Sequence, residues 1–348
     1  MQLLKKLLIT INIALIIGLL SSYMSPYFDP NEYWVFSMFG LFYPIFLFAN
    51  LGMILLWMLI DFKYLFASLI TILIGWSHLQ GFVNFSMLSD EPGDLTVMSY
   101  NANFLYTVRN GSKTEKKGNL RSIQNFLDQH DDVDIFCLQE TSRFTRNLVS
   151  EKFPDYHTHK ITNRGTYILS RYPIIDAGEI NFGTITNSCV WADVRHPSGK
   201  VRVYCTHLQS NKVSTDAVKV MDNANLKEEK TWTGIQAILE KYRIASRKRV
   251  SQAKLIADHS AKVSHPTLIV GDVNDPPTSY TYSRLCGSFQ DSFVAAGSGI
   301  GTTYAGKIPM LRIDYIFADD NFKVESFEVL KEPYSDHFPV KGVYSLID

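Results

Sequence analysis

Hydrophobic positions in this chain follow two different rules. From Leu3 to Phe85 they run almost unbroken, in stretches at about 3–20, 33–60 and 64–85. Beyond residue 94 they come in short bursts, each ending abruptly in polar residues. The first rule predicts three helices that approach or exceed the ~20 apolar residues needed to cross bilayer hydrocarbon. The second predicts strands of buried sheets, in "LTVMSYN", "VDIFCLQET", "GTYILS", "CVWADVR", "VRVYCTHL", "PTLIVGD", "RIDYIFA" and "HFPVKGVY". Between them, residues 118–130 place Leu120, Ile123, Phe126 and Leu127 on one helical face, and helices are expected near 228–241 and 243–263. Turn-rich "SDEPGD" at 89–94 reads as a linker. The chain therefore divides into a transmembrane region, 1–88, and an α/β layered domain, 95–348.

Charge refines this picture. The 34 Lys+Arg balance 34 Asp+Glu, so no global field draws the protein to nucleic acid. Residues 1–89 contain only Lys5, Lys6 and Lys63 as bases, and the 21–32 connection carries only acids. The positive-inside tendency then puts the amino terminus and "DFK" in the cytoplasm, and three crossings put the layered domain outside a cell (inner) membrane. A cleaved signal peptide is the competing reading of 3–20, but no small-x-small site follows it. Three of the four cysteines, Cys137, Cys189 and Cys205, sit inside strand-like runs as small buried hydrophobes. No CxxC pair suggests a metal.

Polar residues recur where the buried runs stop. They are Asn101 and Asn103 in "SYNANFL", Glu140 in "CLQET", His207 in "CTHLQS", Asp272 and Asn274 in "GDVND", Asp314 in "RIDYIF", and Asp336 with His337 in "YSDHFPV". Singly, each is explained as a turn former, a cap or a rim residue. Together they are harder to dismiss, because neighbouring strands deliver their ends to one cleft. Glu140 with oxygens from Asn103 or Asp336 is the hard donor set that Mg²⁺ or Mn²⁺ prefers. Asp272 is typed to orient or deprotonate a water, and Asn274 to donate to phosphoryl oxygens. His207 and His337 suit developing charge or a leaving group, with Asp314 fixing the tautomer of one of them. Acyl transfer and nucleotide-loop chemistry fit less well, since neither a GxSxG elbow nor a GxxxxGK[ST] loop is present.

These motifs, in this order, resemble the metal-dependent endonuclease/exonuclease/phosphatase superfamily over about residues 94–348. The resemblance implies a DNase I-like, four-layered αββα sandwich and a divalent-metal phosphoesterase. It implies Glu140 as a metal ligand, with Asn101 organising the metal, and Asp272 and Asn274 as the pair for water activation and phosphate contact. It also implies Asp336 and His337 as the closing pair, with His337 on the phosphate, and Asp314 as the supporting acid. His207 matches the histidine of the DNase I, sphingomyelinase and inositol phosphatase branches. Asn103 departs from the AP endonuclease branch, which has an aspartate there, and Val273 stands where an aromatic is frequent.

A substrate follows less directly. A tether beside a bilayer raises the effective concentration of lipid head groups, which favours a phospholipid or sphingolipid phosphodiesterase over an extracytoplasmic nuclease. The third reading is a non-catalytic module that binds a phosphorylated ligand. The basic stretch at 243–254 reads as a solvated helix face, and the polar loop 211–231 as a border of the substrate site. Arg312, Asn187 and the tyrosines near 280 are further candidates for substrate contact. No protein partner is inferred.

Overall fold

The computed structural model describes residues 2–86, 92–105, 112–161, 165–184, 187–211, 229–306 and 310–347. Its β-rich part is two six-stranded sheets. The first runs in the order β13 (Phe322–Val329), β14 (Val340–Leu346), β2 (Leu95–Asn101), β3 (Ile135–Gln139), β5 (Tyr167–Ser170), β4 (His157–Lys160). The second runs β10 (Gln290–Asp291), β12 (Asp314–Ala318), β9 (Thr267–Asp272), β8 (Gly199–His207), β7 (Ser188–His196), β6 (Ile174–Ile180). A separate ribbon pairs β1 (Val83–Phe85) with β11 (Ser298–Ile300).

Alternation along the strands sorts the side chains into layers. Leu95, Val97, Ile135 and Cys137 of the first sheet meet Val203, Cys205, Leu268 and Val270 of the second in the core between the sheets. Met98, Tyr100, Phe136 and Leu138 point the other way, against α6 (Lys113–Gln129) and α7 (Arg143–Lys152). Tyr204, Ile269 and Phe317 do the same beneath α8 (Glu229–Ser260) and α9 (Tyr280–Cys286). The result is the expected αββα sandwich. All four cysteines are free.

Two helices differ from expectation. A capping box formed by Ser112 and Glu115 starts α6 at Lys113, ahead of the expected 118. The helices expected at 228–241 and 243–263 are one continuous α8, because Tyr242 between them is a buried helical residue rather than a break. The 211–231 loop lies almost wholly outside the described residues, as does part of the 89–94 linker.

The N-terminal spans are also redrawn. Among the described residues only α1 (Gln2–Met24, extended to Tyr27) and α3 (Tyr43–Ile60) are long and apolar enough to cross a bilayer, rather than three helices. The 33–60 stretch breaks at Phe42, because Pro44 cannot continue a helix but readily begins one. Its first part is α2 (Pro30–Leu41). The third stretch yields α4 (Leu65–Ile74), stops at Gly75, continues as the short α5 (Trp76–Gln80) and ends in β1.

This bundle packs Leu19, Leu47, Met53, Trp57 and Leu65 inside, runs a buried chain of polar links among them, and is also apolar outside. Asn12 donates to Ser68 Oγ at 2.7 Å and accepts from Trp57 Nε1 at 2.8 Å, while Ser68 donates to Asn50 at 2.9 Å. All four residues are buried. Leu3, Leu7, Ile17, Phe48, Leu55 and Leu59 are exposed.

The bundle docks on the sandwich through α2. Tyr242 Oη donates to Ser37 O at 2.9 Å, Thr278 Oγ1 to Gly40 O at 2.8 Å, and Lys254 Nζ to Asp29 at 2.7 Å. Gly40 is required there, since a Cβ would stand 2.5 Å from Thr278 O. Asn84 extends the contact from β1, donating to Phe293 O and Val294 O at 2.8 Å each.

Away from this interface, Asp193 on β7 holds the forked Arg202 guanidinium and accepts from His265 Nε2 at 2.9 Å. Burial alone would raise its pKa, but the Arg202 and His265 hydrogen bonds prevail and hold it at about 2. A depressed pKa means stability present above the unfolded value, near 4, and lost as pH falls towards 2. The contribution is about 2 kcal/mol. Asp193→Asn should therefore lower the thermal midpoint at pH 7, and its deficit against wild type should shrink between pH 4 and pH 2.5.

Candidate active site

Strand direction gathers the polar ends at one edge. β2 and β3 are parallel, as are β8 and β9, so Asn101, Glu140, His207 and Asp272 all leave the sheets on the same side. β12 and β14 run antiparallel to β9 and β2, so their beginnings lie at that edge too. Asp314 is thus the register partner of Asp272, and His337 enters just before β14.

The side chains meet there. Asp272 is buried; its Oδ2 accepts from Asn101 Nδ2 at 2.9 Å and its Oδ1 from the Asn274 amide at 2.8 Å. His337 presents Nδ1 to Asp314 Oδ2 at 2.9 Å and Nε2 towards Asp272 Oδ2 at 3.8 Å. His207 Nε2 lies 3.4 Å from Glu140 Oε1 and 3.7 Å from Asp272 Oδ2, buried and without a hydrogen-bond partner. Asn103 Nδ2 donates to Asp336 Oδ1 at 2.9 Å. Asn274 uses one of its two amide hydrogens on Leu208 O at 3.1 Å, leaving the other. All nine residues singled out from the sequence are therefore at this edge.

Their protonation follows from burial and neighbours. Burial lowers the His337 pKa, but the Asp314 and Asp272 carboxylates outweigh it and raise the imidazole to about 10. Burial raises Asp272 to about 6, against the opposing charge of His337. His207 is lowered by burial, which favours its neutral form, although the Asp272 charge opposes this. Glu140 is raised by burial and by the Asp336 charge, although His337 opposes this. A site with one imidazolium, one neutral imidazole and several carboxylates can hold a proton and release it locally.

The backbone is strained at the same place. Asn103, Phe104, Leu105, Glu140 and Asn274 all have positive φ, which non-glycine residues seldom adopt. Two groups of donor atoms suit a cation. Asp272, Asp314 and His337 offer atoms within 4.8 Å of one another, though an ion there would compete with the His337–Asp314 hydrogen bonds. Glu140 and Asp336, with Asn101 beside them, repel each other, and Asp336 accepts from the neutral amide of Asn103 rather than from a histidine.

Three residues named as candidates for substrate contact have partners within the fold. Arg312 is fully buried and forked onto Asp291 at 3.0 and 2.5 Å, so it does not reach the site. Tyr282 donates to Asp291 at 2.7 Å, and Asn187 to Leu208 O at 2.8 Å. Arg249, within the stretch read as solvated, is buried against Asp275 at 2.8 Å. Other groups had no signal in the sequence. Thr303 Oγ1 accepts from the Asp314 amide at 3.1 Å, and the Tyr304 ring stands edge-on to His337 at 5.5 Å.

The site opens into a cleft of about 140 Å³. Its floor is Glu140, Asp272, Asn274, Asp336 and His337. One wall comes from the N-terminal region, as Met38, Leu41 and Phe42, and the α8 side adds Ile238 and Leu239.

The Endonuclease/Exonuclease/phosphatase family matches residues 98–337. A Domain of unknown function (DUF8431) matches residues 5–82. No curated protein matches. Similar solved structures include an endonuclease/exonuclease/phosphatase from Bacteroides vulgatus, with 17% identity, a TM-score of 0.56, and 73% of this chain and 99% of that chain covered. A mannosyl-6-phosphatase from Bacteroides thetaiotaomicron is 20% identical, with a TM-score of 0.52 and 72% and 100% covered. TDP2 from D. rerio, complexed with a single-strand DNA product, is 16% identical, with a TM-score of 0.54 and 72% and 98% covered. At these identities the likeness is one of fold.

Proposed function

This chain belongs to the endonuclease/exonuclease/phosphatase family and is a phosphoester hydrolase, and on that premise we propose that it is membrane-anchored and cleaves lipid phosphate esters with an activated water. The carrying observation is the convergence of Asp272, Asp314, His337 and His207 beside two further carboxylates in one cleft. Asp272 takes the proton of the water. Its raised pKa makes it a better base than an ordinary carboxylate, and Asn101 and the Asn274 amide fix its two oxygens. His337, kept charged by Asp314, donates to the phosphoryl oxygens, and the second amide hydrogen of Asn274 does the same. His207, neutral and with an unpaired Nε2, faces the leaving group. Glu140 and Asp336, with Asn101, would hold a divalent cation, Mg²⁺ or Mn²⁺. Hard carboxylate oxygens that repel one another fit such an ion, which would neutralise phosphoryl charge when bound.

The apolar exterior of the helical bundle supports residence in a membrane. Lys5 pairs with Asp61 at 2.5 Å and, like Lys63, lies beside Tyr64, which puts all three at the end of the bundle away from the sandwich. By the positive-inside tendency that end is cytoplasmic and the hydrolase faces outward.

The test is product release by the full chain in nanodiscs from phospholipid or sphingolipid vesicles and from DNA, with Mg²⁺ or Mn²⁺. Lipid cleavage abolished by EDTA and restored by the metal is the expected result. Cleavage of DNA alone would make the protein a tethered nuclease, and activity unaffected by EDTA would remove the cation from the site.

A further inference from the structure

We propose that the N-terminal region completes the substrate site. In this assignment the hydrocarbon next to the scissile phosphate lies against Met38, Leu41 and Phe42, so the substrate is an amphiphilic phosphate ester. The inference rests on the phosphoesterase reading and adds the part of the molecule that selects the ester.

The cleft has two chemically different sides. Phosphate chemistry lies on the floor, and the α2 residues face it across a space of about 140 Å³. A water-sized group needs about 10–15 Å³, so roughly ten such groups fit, enough for a phosphate and its first few carbons. Hydrocarbon demands the wall that is present.

That wall is held in place rather than draped. Ser37 and Gly40, which alternate with the lining residues Met38 and Leu41, are tied to Tyr242 and Thr278. The Gly40 backbone sits too close to Thr278 O to admit a side chain. Sequence places the wall on a separate region of the chain, yet it is built into the same rigid cleft as Asp272. It is also continuous with the apolar exterior. Phe42 is exposed, and Ile45, Phe48 and Leu55 follow it as an exposed stripe along α3. A chain lying on Phe42 therefore has an uninterrupted apolar path away from the site.

The experiment uses the full chain in nanodiscs and a series of p-nitrophenyl alkyl phosphates with methyl, propyl and hexyl groups. In wild type, kcat/KM should rise about fourfold for each methylene taken out of water. In the Leu41→Ala/Phe42→Ala variant the hexyl-to-methyl ratio should fall at least tenfold. Ile17→Ala, on the exposed face of α1, should leave that ratio unchanged. A flat wild-type series, or a ratio that the double variant does not lower, overturns the inference and leaves the hydrolase reading intact. Failure to cleave any member with either metal overturns both. Should the double variant not fold, Leu41→Val and the wild-type series still decide.

Discussion

His337→Ala lowers kcat/KM by about a thousandfold on any phosphate ester that the protein cleaves, equivalent to ~4 kcal/mol of lost transition-state stabilisation. The magnitude follows from what is removed. His337 is buried, carries a charge imposed by two carboxylates, and is held in orientation by Asp314. Alanine leaves Asp314 and Asp272 as close negative neighbours with nothing between them, in a cleft meant for an anion. Asp314→Asn should cost less, about a hundredfold, because the imidazole remains but loses its orienting charge. The two act as a unit, so the double variant should be no slower than His337→Ala alone. Single-turnover rates on one soluble phosphate ester provide the check, and independent, multiplying effects would show that Asp314 does not work through His337.

The largest loss of stability is expected from Arg312→Ala. Its side chain is fully buried, forks onto Asp291, and is flanked by the rings of Tyr315 at 4.6 Å and Phe293 at 4.7 Å. Removing one partner of such a pair strands the other charge and costs about 3–5 kcal/mol. Asp291 also caps the short helix α10 (Ser292–Ala296) by accepting from the Phe293 amide, so its stranding disturbs the element that Asn84 grips. Denaturant unfolding of the full chain, followed by tryptophan fluorescence, measures this. A loss below about 1 kcal/mol would mean that the pair is solvated.

The site was legible in the sequence because each of its groups terminates a strand, and strands can be read locally from alternation and turn chemistry. Asp272 and Asn274 follow "LIVG", and His337 precedes "PVKGVY", so the motif and the strand end coincide. What was hidden depends on contacts between distant segments. Arg249 looks like one more base on a solvated helix until Asp275 is placed against it. The α2 wall is hidden for the same reason, since hydropathy reads Met38, Leu41 and Phe42 as part of a membrane span. The break at Phe42 did carry a signal, Pro44, which a hydropathy window averages away. The halt of α4 at Gly75 was likewise written locally and outweighed by the length of the apolar run.

Asn103 and Asp336 are joined side chain to side chain although 233 positions separate them. Contacts of that range form late, because the loop they close must be ordered before any of them is made. Along the chain the helical bundle precedes the sandwich, and β14 follows every other described strand. A chain stopped at residue 330 already carries Glu140, His207, Asp272 and Asp314, yet it lacks both His337 and the strand that seals the first sheet against β2. The hydrolytic site is therefore incomplete until β14 has paired with β2 and Asp336 has reached Asn103, so assembly of the first sheet and assembly of the site are one event.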